Sequence, residues 1–182
     1  MLFRSFQVLL QTGLLLADPR TGAARASLAH NTSGRFVDRW VGLRALPGRC
    51  VFLHGLDRFE LPVAHGEGRF TSSRKGRVAE LVSSGRTPFR YVRSDGSDAT
   101  GFPDNPNGAD QAVAGVCNEQ GNVLALMPHP ERAVVLGQVS RGIGGDWGAA
   151  RDHALATRDG HADDDGPGMA LFRGLARHLG VS

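Results

Sequence analysis

The chain has 182 residues, 41% of them apolar, which suits one domain with its own core and demands no second. Its net charge of +3 and pI near 9.5 come from arginine, with Lys75 the single lysine, and these scattered charges around one tyrosine argue against a nucleic-acid face. Residues 6–17 are too short and too polar for a membrane span or a cleaved leader, and two cysteines without a spaced framework fit a reduced, cytoplasmic setting.

Ser5 can cap a helix over residues 6–17, with Phe6, Leu9, Leu10, Gly13 and Leu14 on one face and Asp18-Pro19 as its stop. Residues 20–29 are small and polar and read as a connection. Between Phe36 and Arg44 the pattern alternates, with Val37, Val41 and Leu43 on one side, as in a half-buried strand. Val51-Phe52-Leu53 and Leu61 to His65 are short strand candidates separated by turn residues. Arg77 to Val82 suits a short helix ending at Gly85, Phe89 to Val92 a strand, and Asp95 to Gly108 a loop. Ala112 to Asn118 and Asn122 to Met127 pair as a hairpin across Glu119-Gln120-Gly121. Periodicity then lapses until Pro167, so residues 137–166 read as a mobile insertion. An amphipathic helix from Met169 to Leu179 follows, with Ala170, Leu171, Leu175 and Leu179 towards the core.

Chemistry concentrates in Met127-Pro128-His129-Pro130-Glu131-Arg132-Ala133. The two prolines predict a stiff, extended segment in which His129 and Glu131 point the same way. A carboxylate beside an imidazole fixes its tautomer and steadies its protonated form, the base-and-orienter half of a nucleophilic triad. A plain proline-rich strand exit is the competing reading. His65-x-Glu67 repeats the same spacing, so a zinc site built from both pairs is a rival. Neither pair has the i, i+4 helical spacing, and no metal is assigned. Cys117 lies mid-strand, where a small buried hydrophobe is the usual role of cysteine, with nothing nearby that would obviously lower its pKa.

Several motifs accompany this stretch in order: Asn31-Thr-Ser-Gly-Arg-Phe36 with Arg39-Trp40-Val41, Leu61-Pro-Val-Ala-His-Gly-Glu-Gly-Arg-Phe70, Asn105-Pro-Asn-Gly108, and Val113-Ala-Gly-Val-Cys-Asn-Glu119 with Gly121-Asn-Val123. Together with Met127 to Ala133, and more weakly with Asp165-Gly-Pro-Gly-Met-Ala-Leu-Phe172, they resemble the glutaminase part of phosphoribosylformylglycinamidine synthase, a class I glutamine amidotransferase of purine biosynthesis.

The resemblance implies an α/β, flavodoxin-like three-layer fold, truncated at the N-terminus. It makes His129 and Glu131 the catalytic histidine and glutamate. Gln7, Ser33, Gly34, Arg35 and Phe36 become glutamine-binding residues, with His65 and Glu67 in a loop beside the site. Phe6-Gln7-Val8-Leu9 fits the end of the family's Gly-x-Cys-Asn-Gly-Phe-Gln-x-Leu elbow, which sets Phe3 at the nucleophile and Arg4-Ser5 at Asn-Gly. Residues 1–5 therefore stand outside the family pattern, residues 6–182 form a partial amidotransferase domain, and the chain as it stands is expected not to hydrolyse glutamine. No cofactor belongs to this domain; ATP and magnesium would serve the synthetase partner that receives the ammonia. Beyond glutamine and that partner, no nucleic acid or membrane is expected. Two alternatives remain, a pseudo-glutaminase that only binds its partner and a metal-dependent hydrolase.

Overall fold

A computed structural model describes residues 5–16, 26–157 and 161–181. Phe3 and the stop at Asp18-Pro19 lie outside these residues. At the centre is a five-stranded sheet built from β2 (Val37–Ala45), β3 (Arg58–His65), β5 (Phe89–Val92), β6 (Val113–Cys117) and β7 (Leu124–Leu126), in the order β3-β2-β5-β6-β7. Every pairing in it is antiparallel. The parallel pairs that a flavodoxin-like plan implies do not occur among the described strands, and the β6–β7 connection is too short for a crossover. A second, two-stranded ribbon pairs β1 (Ser27–Ala29) with β4 (Arg69–Thr71). Residues 27–29, expected to be connection, are thus recruited by strand pairing that local composition cannot reveal.

The alternation in β2 and β3 explains the core. Val37, Val41, Leu43, Phe59, Leu61 and Val63 are all buried in one cluster with Phe89 and Tyr91 from β5. The Phe59 and Phe89 rings meet edge to face at 5.7 Å. Helix α1 (Ser5–Gln11) adds Phe6 and Leu10, and Phe6 stacks on Phe70 of β4 with ring centres 6.1 Å apart. Helix α2 (Arg77–Ser83) adds Val78 and Leu81 and ends at Gly85, as its pattern predicts.

Four further expectations change. The first helix ends at Gln11, because Gly13 turns the chain at φ +77°; Leu15 and Leu16 are then buried and Leu14 is exposed. Residues Val51–Leu53 form a 3-10 turn, not a strand, and α4 (Met169–His178) packs against it. Within 137–166 lies an α-helix, α3 (Gly145–Ala156), whose buried face is Gly148, Arg151 and Ala154. Two small residues and an arginine leave no apolar period to read. Arg151 is buried because its guanidinium donates to the carbonyls of Ser140 and Ile143 and pairs with Asp152. In α4 Leu171 reaches the core, whereas Leu179 lies past the helix end and is exposed.

Candidate active site

The hairpin β6–β7 delivers Met127 to the site. Beyond it the chain does not continue extended: Pro130–Arg132 form a 3-10 turn with Pro130 at its start. The expected side-by-side extended geometry is therefore replaced by a tight turn, yet the pair still meets. His129 Nδ1 lies 2.7 Å from Glu131 Oε1. The turn is anchored on both sides. The His129 N–H donates to the Pro62 carbonyl of β3 at 2.8 Å, and the Gly168 N–H donates to the Ala133 carbonyl at 2.7 Å. A side chain at 168 would place Cβ only 2.1 Å from the Pro130 carbonyl oxygen, so the Gly-Pro-Gly-Met echo exists to let the chain pass close behind the motif.

His129 and Glu131 form part of the wall of a cavity of about 690 Å³. Gln7, Phe36, Asp38, His65 and Glu67 also line it. Four segments distant in sequence thus converge: α1, β2, the end of β3 and the turn after β7. Glu131 stands exposed at the rim, while the His129 side chain is largely covered. Gln7 is committed at one end, since its Oε1 accepts the Leu28 N–H at 2.9 Å and so ties α1 to β1. Ser33, Gly34 and Arg35 are exposed and form a turn, with Gly34 N–H donating to Asn31 O, and they do not line the cavity. Of that motif only Phe36 reaches it.

The β3 end is organised by Asn31, whose structural role sequence reading missed. Its Nδ2 donates to the carbonyls of Arg35 and His65, both at 2.8 Å, and its Oδ1 accepts the Gly68 N–H at 3.2 Å and faces His65 Nδ1 at 3.0 Å. The signal lay in the Asn-x-Ser-Gly turn itself, where a side-chain amide can act for the backbone. His65 is buried, and burial lowers its pKa to about 4, with the nearby His129 adding to the effect. Glu67 sits 3.7 Å from His30.

Cys117 does not line the cavity and is fully buried in β6. Its surroundings correct one expectation, since the adjacent Cys50 thiol, and then Arg86 and Arg49, lower its pKa. Burial without access still leaves it a packing residue. Among the described residues, no cluster of three or more His, Cys, Asp or Glu side chains could hold a metal ion. Nor is any described helix long and apolar enough to cross a membrane.

Residues 4–176 match the family of CobB/CobQ-like glutamine amidotransferase domains. The chain is 42% identical over 132 residues to the phosphoribosylformylglycinamidine synthase subunit PurQ of Methanococcus maripaludis, covering 71% of this chain and 48% of that one. To the phosphoribosylformylglycinamidine synthase of Homo sapiens it is 38% identical over 141 residues, covering 70% of this chain and 10% of the human protein. The chain spans about half the length of the PurQ relatives it matches. The structure of PurLQS from Thermotoga maritima aligns with a TM-score of 0.57 at 29% identity, covering 96% of this chain and 58% of that one.

Proposed function

Because the chain belongs to the CobB/CobQ-like glutamine amidotransferase family and has its class I amidotransferase fold, we propose that its cavity is the glutamine pocket of a purine-biosynthetic glutaminase. The observation that carries this reading is the 2.7 Å contact between His129 Nδ1 and Glu131 Oε1 in the cavity wall. The carboxylate accepts the Nδ1 proton and thereby assigns Nε2 to proton transfer. In the reaction proposed, which needs a cysteine at the elbow position that Phe3 holds here, its thiolate attacks the side-chain amide carbon of glutamine. His129 protonates the departing ammonia and then takes a proton from the water that hydrolyses the γ-glutamyl thioester to glutamate. The ammonia goes to a synthetase partner that uses ATP and magnesium to form the amidine of formylglycinamide ribonucleotide, so this domain needs no cofactor of its own. The setting proposed is cytoplasmic.

One observation favours a second reading. Phe3 stands where the family motif has its cysteine. With no thiol there, the chain only binds its partner, as a pseudo-glutaminase.

The test is to install the elbow by Phe3→Cys with Arg4→Asn and Ser5→Gly, and to expose the protein to a glutamine analogue bearing an electrophile at its γ-carbon. Intact mass spectrometry should find one adduct on the introduced thiol, greatly slowed by a further His129→Asn change, and none on the unsubstituted chain. Adduct formation that is indifferent to His129 would remove His129 from the mechanism.

A further inference from the structure

Part of the cavity wall is a patch of sheet, and the single charge on that patch has no partner. Side chains alternate across a strand, so where Val37 and Val41 of β2 turn into the core, Asp38 turns to the opposite face. Its register partner on β3 is Ala64, and both line the cavity. The neighbouring position repeats the pattern. A Cβ at Gly66 would lie 3.9 Å from the Phe36 ring, and these two residues line the cavity as well. Phe36, Asp38, Ala64 and Gly66 therefore make one surface, on which Asp38 alone is ionisable. Asp38 is exposed there, and among the described residues its carboxylate makes no hydrogen bond or ion pair. The adjacent cation, Arg39, is engaged elsewhere, 5.4 Å from the centre of the Phe102 ring.

We propose that Asp38 is a substrate-binding residue whose carboxylate accepts hydrogen bonds from the α-ammonium group of the amino acid in this cavity. The proposal rests on the glutaminase reading and deepens it by naming the residue that holds the end of the substrate away from the chemistry. Position carries the assignment. His129 is tied by its N–H to the Pro62 carbonyl of β3 at 2.8 Å, and Asp38 stands across from Ala64, two residues farther along that strand. Two residues of strand span about 7 Å, comparable to the reach of an extended glutamine from its amide to its α-amino group. With the amide at His129, the only cation that glutamine carries falls on the only charge of the patch. A charge-assisted bond there orients the substrate as well as holding it. Glu67 and Glu131 line the same cavity and add to its attraction for a cation, while Arg132 is its one guanidinium among the described residues. An analogue without the ammonium leaves Asp38 unpaired and sets its own carboxylate against those of the wall, so the site selects α-amino acids over the corresponding simple acids.

The experiment uses the full chain and needs no turnover. Calorimetric titration at neutral pH should show glutamine binding tighter than glutaramate, which is glutamine without its α-amino group. In Asp38→Asn, which keeps the shape and drops the charge, glutamine should weaken about fivefold or more while glutaramate holds its affinity, so that the preference collapses. In Asp38→Glu, which restores the charge, part of the preference should return. Carboxyl-carbon NMR on the unsubstituted protein gives an independent readout, in which the Asp38 side-chain resonance moves with added glutamine and stays with added glutaramate. Equal affinities in the unsubstituted protein, an unchanged preference in Asp38→Asn, or bound glutamine that leaves the Asp38 carboxyl resonance unmoved would each overturn the proposal while leaving the glutaminase reading standing. Binding of neither ligand would overturn both.

Discussion

Burying an imidazole that must stay neutral makes stability depend on pH. His65 has its pKa lowered to about 4 by burial, whereas in the unfolded chain it titrates at the ordinary value of 6.5. The unfolded state therefore binds the proton first. The stability that His65 contributes is full above about pH 6.5 and is lost as pH falls towards 4, with a limiting size of about 3 kcal/mol. Chemical denaturation of the parent and of His65→Gln between pH 7 and pH 4 should show the parent losing stability more steeply. Parallel curves would mean that the ring is already charged, or already solvated, in the folded protein. The same residue shows what sequence could and could not convey. Its nearness to the site was legible from the His-Gly-Glu-Gly motif, but its neutrality depends on Asn31, which lies 34 residues earlier and meets it only because of the fold.

At the scale of elements, legibility followed the strength of the local pattern. The strands β2, β3 and β5, the helix α2 and the β6–β7 hairpin have apolar periods or turn residues that name them, and they stand within a few residues of where the sequence places them. Failures arose where tertiary contacts took over. The ribbon β1–β4 exists through pairing of two three-residue strands. Helix α3 buries an arginine, and the histidine–glutamate segment bends where two prolines suggested extension. That bend is held from behind by Gly168, which allows a direct test. Gly168→Ala should destabilise the protein by about 2 kcal/mol or more, because the new methyl overlaps the Pro130 and Ala133 carbonyls. Gly144→Ala has nothing within 4 Å and should change stability by no more than about 0.5 kcal/mol. Equal melting temperatures for the two variants would show that the C-terminal segment does not clamp the turn.

For the whole molecule, the fold matters because it gathers short, separate segments around one cavity. Gln7 comes from α1, Phe36 from the lead-in to β2, His65 and Glu67 from the end of β3, and His129 with Glu131 from the turn after β7. No pair of these segments would form the site alone, so binding of the glutamine proposed for it would report on the assembled architecture as well as on its chemistry. Amide and side-chain NMR during a glutamine titration decides whether this cavity is the glutamine pocket proposed for it. Saturable shifts should centre on Gln7, Phe36, His65 and His129, and should weaken when the cavity is narrowed by Ala64→Leu. Shifts that cluster elsewhere, or a spectrum unchanged at millimolar glutamine, would contradict that proposal.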